Sequence, residues 1–480
     1  MLKKICSLTL VVIMSLTLLA GCGSKESAKN GKDEPYQIDW YFIGDPQPNV
    51  KEIEEEANKY LKGKINATLK INSLDWGSYA SRLNVMIAGN EKFDICFTDS
   101  SNYKSNASRQ AYLPLNELID KYAPKTKEML GEDFLKGSQI NNVNYALPAN
   151  KDRGHSYGVV YRKDIADKYG LTEKMKSIKS FADLKPILAF IKEKEPDLIP
   201  LTHESGNAMT MLLDFEELAY PAGFVGGSTD GKVVNLVETP EFLEAIKITH
   251  QNYVDGFLPK GGKVGTPAGT ESFCSIEPLK PGKAQEIGLN RGFEMEQVEL
   301  TPRRMNGADS MGSMMAISRT SKNPELVMQF LELYNTDKYL NNLIVFGIEG
   351  KNYNKVDDKT IKPIENSGYD FSVMRWEFGN TFLQYLTEID DPEKFTNTLE
   401  FNKSVIPSEY LGFNFDPEKV KSEYGACQNV KLEFNDRCSD GMEDPEALVS
   451  AYIEKLKRAG SGKIVEEAQR QYDEWKNSQK

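Results

Sequence analysis

Two short stretches, "GDPQPN" at 44–49 and "TDSSNY" at 98–103, gather side chains that exchange hydrogen bonds with hydroxyl groups. Asp45, Gln47, Asn49, Thr98, Asp99, Ser100 and Asn102 supply donors and acceptors, and Tyr103 adds a flat ring. The same residue types also make turns and cap helices, so each has an ordinary structural use as well. Three further stretches carry comparable chemistry: "KDRGHSY" (151–157) with Arg153 and His155, "HESGN" (203–207) with Glu204, and "MRWEFGN" (374–380) with Arg375, Trp376 and Glu377. An aromatic ring near carboxylates and a guanidinium is what sugar recognition needs, because a pyranose has one apolar face and a rim of hydroxyls. Trp376 is equally readable as plain core.

The elements that would position these residues follow from periodicity. Residues 37–44 read as a strand ending in the first polar loop, and Val50, Ile53, Ala57, Tyr60 and Leu61 form one face of the helix after it, with Gly63 as its stop. Ile65, Ala67, Leu69 and Ile71 alternate as in a half-buried strand, while "KFDICFT" (92–98) is dense enough to be covered on both faces. A β-α-β order with a buried strand predicts a parallel sheet, and such sheets bind ligands beyond the carboxyl ends of their strands. The pattern restarts near residue 155. A strand at 157–163 is followed by a helix opened by Ser180 with Asp183, bearing Leu184, Ile187, Leu188 and Ile191, and then by the strand "DLIPLT". "SMMAIS" (313–318) is a late strand, Asn323-Pro324 and Asp444-Pro445 each open a helix, and Ile464, Ala468, Tyr472 and Trp475 mark the last one.

Ahead of all this stands Cys22. Lys3 and Lys4 precede an apolar run of about 13 residues, short of the roughly 20 that cross a bilayer, which reads as a secretory leader. Leu19-Ala20-Gly21-Cys22 resembles the bacterial lipobox, which implies cleavage before Cys22, lipidation of its sulfur and a stable tether through two acyl chains. The polar stretch after it would be a flexible leash with a reach of roughly 20 Å. The 480 residues carry a formal charge of −12, which disfavours nucleic acid, and 40% apolar residues, enough to bury a sizeable core. Cys96 reads as a core thiol; Cys427 and Cys438 could close a small loop. The three histidines, His155, His203 and His250, are not spaced as zinc ligands, so neither metal nor other cofactor is expected.

Catalytic and nucleotide motifs come close without completing. "GGSTDGKV" (226–233) has Val233 where a phosphate loop needs Ser or Thr, and Asp230-Gly231 reads better as a hairpin turn. "DRCSDGMEDPEA" puts Cys438 and Ala447 at calcium-ligand positions, and "ADSMG" is one glycine short of a nucleophile elbow. A tethered glycosidase stays open as an alternative, since a pair of carboxylates suffices for it and the chain has 71 acidic residues.

The ordered set of lipobox, "KFDICFTDS", "AYLPLNELIDKY", "NYALPANKD", "GVVYRKDIADKYGL", "ETPEFLEAIKITHQNYVDGFL" and "MGSMMAISRTSKNPELVMQFLELY" resembles the extracellular solute-binding lipoproteins of bacterial sugar importers. "FGIEGKNY", "RWEFGN" and "DPEALVSAYIEKLKRAG" are similar to the LipO-like branch. The resemblance implies an α/β, two-lobed type II periplasmic-binding-protein fold with a ligand cleft between the lobes. On it, residues 1–21 are the leader, 22–35 the lipidated tether, 36–150 with about 311–372 the first lobe, and 151–310 with about 373–480 the second. It further implies a monomer on the outer face of the cell membrane, held by its lipid alone, that hands a carbohydrate to an ABC permease. A peptide-binding importer component is the alternative solute class. Asp45, Gln47, Thr98, Asp99, Ser100, Tyr103, Arg153, His155, Glu204, Arg375 and Trp376 are the expected cleft residues.

Overall fold

The computed structural model describes residues 34–203, 208–228, 230–259 and 272–479. The leader, Cys22 and Glu204 lie outside the described residues. Among those described, no helix is long and apolar enough to cross a membrane.

Strands are numbered in chain order: β1 (Tyr36–Ile43), β2 (Ala67–Leu74), β3 (Ile95–Thr98), β4 (Ala146–Pro148), β5 (Ser156–Arg162), β6 (Ile199–His203), β7 (Ser272–Leu279), β8 (Met295–Glu299), β9 (Arg304–Met305), β10 (Met314–Ile317) and β11 (Ile406–Pro407). The first lobe is the sheet β2-β1-β3-β10-β4 and the second is β8-β5-β7-β6. In β1, buried Ile38, Trp40 and Phe42 alternate with more exposed neighbours, whereas β3 is buried throughout. The helix Val50–Ile65 presses Ile53, Ala57 and Leu61 onto this sheet, runs past Gly63, and stops where Asn66 turns left-handed at φ 50°.

The first sheet is mixed rather than wholly parallel. β1 pairs in parallel with β2 and β3, but β10 lies antiparallel between β3 and β4. The cause is the route of the chain, since β10 re-enters the first lobe from the edge at which β3 leaves it. The second sheet is mixed for the same reason, with β5 antiparallel to both β7 and β8.

Each lobe has its own core. Trp40 sits edge-on to Phe42, Phe330, Tyr334 and Phe378 in the first. Residues from 373 onward, expected in the second lobe, therefore begin on the first, because Phe378 completes this aromatic cluster and Leu411 joins the same core. In the second lobe, the Ser180 capping box starts the helix Phe181–Lys194, which buries Leu184, Ile187, Leu188 and Ile191 against the sheet. A third cluster joins the helices Lys421–Asp440, Pro445–Ala459 and Ser461–Ser478 to the hairpin Ala222–Phe224/Val234–Asn235, whose turn holds Gly231 at φ 70°.

Cys427 and Cys438 do not bridge: both are buried thiols on the single helix Lys421–Asp440. Eleven positions along a helix is about 16 Å of rise, far beyond the roughly 7 Å that a disulfide spans. Burial pushes their thiols up to about 11 and about 12. Alkylation of the unfolded, unreduced protein should therefore label both, and reductant should leave the melting temperature unchanged. A reductant-dependent melting temperature would contradict this helix.

Candidate functional site

Register decides which loops meet. β1, β2 and β3 are parallel, so the loops after Ile43, Leu74 and Thr98 emerge on one edge. Met314 of β10 pairs with Thr98 and with Pro148, so the residues entering β10 and leaving β4 reach that same edge. Asp75 there caps the helix Trp76–Ala88, accepting from the amides of Gly77 and Ser78 at 3.1 Å, and Trp76 stands 64% exposed as the first helical residue. Its indole is 6.1 Å from that of Trp376, tilted by 54°. Trp376 is half-buried and stands edge-on to Phe97 of β3, 5.7 Å away. The two indoles form an aromatic platform at the mouth of the first sheet.

The segment carrying Trp376 is held from several sides. Ser313 Oγ donates to the Trp376 carbonyl at 3.3 Å, and Gln384 donates to the Arg375 carbonyl at 3.0 Å. The Arg375 guanidinium pairs with Asp390, which also accepts from Lys394 and from the amide and hydroxyl of Thr387, each at 2.8 Å. Burial alone would raise the Asp390 carboxyl, but the hydrogen bond and charge of Arg375, then Lys394, hold it far below the usual carboxylate range. Arg375 thus braces the platform instead of facing a ligand. Gly379 turns left-handed at φ 62° just beyond, where a Cβ would lie 2.6 Å from Asn335 Oδ1.

Several expected residues are used internally. Thr98 is fully buried, donating to Asn102 and accepting from Tyr112. Tyr103 is core and no cleft surface, because its hydroxyl donates to the Ser138 carbonyl and accepts the Tyr145 amide, both at 2.9 Å. Gln47 ties its loop to the Asp370 amide, and Arg153 turns into the first lobe, donating to the Met129 carbonyl beside the Phe134 ring. Asp45 and Ser100 remain exposed on loops at the same sheet edge, while Asp99 is half-buried and accepts from the Ser101 amide.

His155 lies where the chain crosses between lobes. Its amide and carbonyl pair with Arg304, whose chain continues as β9 alongside β11, so three crossing segments run side by side. Gly154 permits the approach, since a Cβ there would come within 2.3 Å of the Arg304 carbonyl oxygen. The His155 ring pairs with Asp309 at 2.8 Å and stands edge-on to Tyr157, while Arg304 grips Asp214. Burial works against the imidazolium, but Asp309, with Asp214 and Asp152 beyond it, raises its pKa above the ordinary value. Among the described residues, no three His, Cys, Asp or Glu side chains gather as metal ligands would.

Trp76, Tyr157 and Asp309 were absent from the expected set. The strand-end rule that selected the loops after β1 and β3 also selects "LDWGS" after β2, so Trp76 had a usable signal. Asp309 had only that of an ordinary helix cap.

Residues 44–341 match the model of the bacterial extracellular solute-binding protein family, and residues 409–477 match a domain of unknown function, DUF3502. A carbohydrate ABC transporter substrate-binding protein of Streptococcus pneumoniae is 30% identical over 504 residues, covering 100% of this chain and 99% of the relative. The N-glycan transport solute-binding protein NgtS from Streptococcus pneumoniae superposes with a TM-score of 0.81 at 28% identity, covering 93% of this chain and 100% of the other. Its complex with Man5GlcNAc gives a TM-score of 0.66 at 28% identity, over 93% and 99% of the two chains. With a family match over more than half its length and a full-length relative, this two-lobed α/β chain belongs to the bacterial extracellular solute-binding proteins.

Proposed function

We propose that the protein captures an oligosaccharide between its lobes for an ABC importer, with the Trp76–Trp376 platform as the surface on which the sugar stacks. The paired indoles carry this reading: two adjacent rings, Trp76 exposed and Trp376 half-buried, match the apolar faces of consecutive sugar units better than they match one isolated ring. Asp45 and Ser100 on loops at the same sheet edge would take hydroxyls, and the crossing segments at His155 and Arg304 would act as the hinge. The names of the relatives support a carbohydrate, and the lower TM-score of the glycan complex fits lobes that stand open here. The protein binds its solute without hydrolysing it, works as a monomer, and passes the solute to permease subunits.

A thermal-shift series tests the reading, since a ligand that binds only the native state stabilises it by about 2.7 kcal/mol at a hundred times its Kd. Mannose–N-acetylglucosamine oligosaccharides of increasing length should raise the melting temperature and be recovered intact. A shift with short peptides alone would replace the glycan reading, and cleaved products would replace the transport reading.

The tether has its own test. Cys22→Ala should release the protein from cells or leave it as an uncut precursor, read by fractionation and mass. Normal processing with retention at high salt would mean another anchor.

A further inference from the structure

Directly behind the platform lies a carboxyl group that nothing neutralises. Glu377 is 2% exposed; its Oε2 accepts the Ile43 amide at 3.4 Å, and its Oε1 has no hydrogen-bond partner. The position has a structural logic. Gly44 donates to Leu74 on the β2 side, so the preceding amide of Ile43 points toward β3. The ladder from β1 to β3 ends at Tyr41–Cys96, which leaves that amide without a strand partner. Glu377 fills the opening, and the Tyr79 hydroxyl fills the neighbouring part by donating to the Phe97 carbonyl at 2.8 Å. Phe97 is also the residue on which Trp376 rests.

We propose that Glu377 is a positioning residue for the glycan platform: as the neutral acid it plugs the gap between β1 and β3 and so fixes the angle at which Trp376 meets Trp76. The proposal rests on the glycan reading of that platform. The titratable groups around Glu377 are phenols, Tyr79 on the helix Trp76–Ala88 and Tyr334 on the helix Pro324–Thr336, both fully buried and held protonated well above their ordinary range by desolvation. The cation on its own segment, Arg375, is committed to Asp390. Burial, opposed only by the Ile43 amide, raises the Glu377 carboxyl well above the usual carboxylate range. Two more polar atoms of this core, Trp40 Nε1 and Tyr334 Oη, also lack partners, and neither group carries a positive charge to meet an ionised Glu377.

The sign follows. The folded chain holds a proton that the unfolded chain gives up near the ordinary carboxylate pKa of about 4.3. The stabilisation is therefore complete below that value and declines as pH rises toward the raised folded pKa. Ionisation must draw in water or displace the segment, and Trp376 is the next residue along it.

The test compares wild type, Glu377→Gln and Glu377→Ala for glycan Kd, melting temperature and tryptophan fluorescence from pH 6 to pH 10. Wild type should lose affinity as pH rises, and Glu377→Gln, which keeps an acceptor for Ile43 and has no proton to lose, should bind within about threefold of wild type at pH 6 with a flatter profile. Glu377→Ala should bind about tenfold more weakly at temperatures where it is fully folded. Equal pH profiles for wild type and Glu377→Gln, or wild-type affinity in Glu377→Ala, would overturn the proposal. If wild type binds no glycan, the functional reading fails instead, and the fluorescence profile of Glu377→Gln against wild type still decides whether the proton sets the indole environment.

Discussion

Replacing Trp76 and Trp376 together with alanine should reduce oligosaccharide affinity about a thousandfold. Each indole can cover on the order of 80 Å² of sugar face, which at about 25 cal/mol per Å² is roughly 2 kcal/mol, or about thirtyfold per ring. The single variants should differ in a second way. Trp76 is 64% exposed, so Trp76→Ala should leave the unliganded melting temperature nearly unchanged. Trp376 is half-buried against Phe97, so Trp376→Ala should lower both affinity and stability. Calorimetric titration alongside thermal melts separates the two contributions. A double variant that binds as wild type does would remove the platform from the site altogether.

Asp390→Ala should destabilise the first lobe by about 3 kcal/mol, the low end for breaking a buried ion pair, because the side chain removed leaves a largely enclosed guanidinium uncompensated. Asp390 is 7% exposed at its side chain and Arg375 17%. Asp390→Asn, which keeps the shape, should lose less. The linkage runs opposite to that of Glu377. With its folded pKa depressed, Asp390 contributes its full stabilisation above the ordinary Asp pKa of about 3.9 and loses it as pH falls below that value. Urea titrations should show the gap between wild type and Asp390→Asn closing below about pH 4. A gap that persists there would mean that the pair acts through shape and not through charge.

What the sequence disclosed was local. The caps at Ser180, Asn323 and Asp444 were readable because an N-cap bonds amides two or three residues away, so its partners are written beside it. The alternation of β2 and the dense run of β3 were readable because burial leaves a periodic trace. The antiparallel entry of β10 was not, because strand direction depends on where the chain re-enters the lobe. At the candidate site, the strand-end rule picked out one edge of the first sheet but could not tell which polar residues there would be consumed. Tyr103 and Asp45 are equally suited to a cleft by type, and only Ser138 and Tyr145, supplied by distant chain, show that Tyr103 points inward. Residue type alone could not say how far Trp376 would be packed: it is half-buried and stands edge-on to Phe97.

The late strand β10 has a consequence for how the molecule is made. β3 pairs with β1 early, but its other edge waits for β10, which follows the entire second sheet, and the core around Trp40 waits longer still for Phe330, Tyr334 and Phe378. Such non-local pairing slows folding far more than it costs in final stability, since loop-closure entropy grows only with the logarithm of length. A chain delivered N-terminus first therefore presents Ile95–Thr98 as an unpaired, mostly apolar edge until nearly two-thirds of its residues have emerged. The second lobe, whose strands all lie within residues 156–299, can close on itself during that interval. The N-terminal lobe is thus the last to be completed, and protection of β3 by a holdase should raise the yield of folded protein more than any stabilisation of the second lobe.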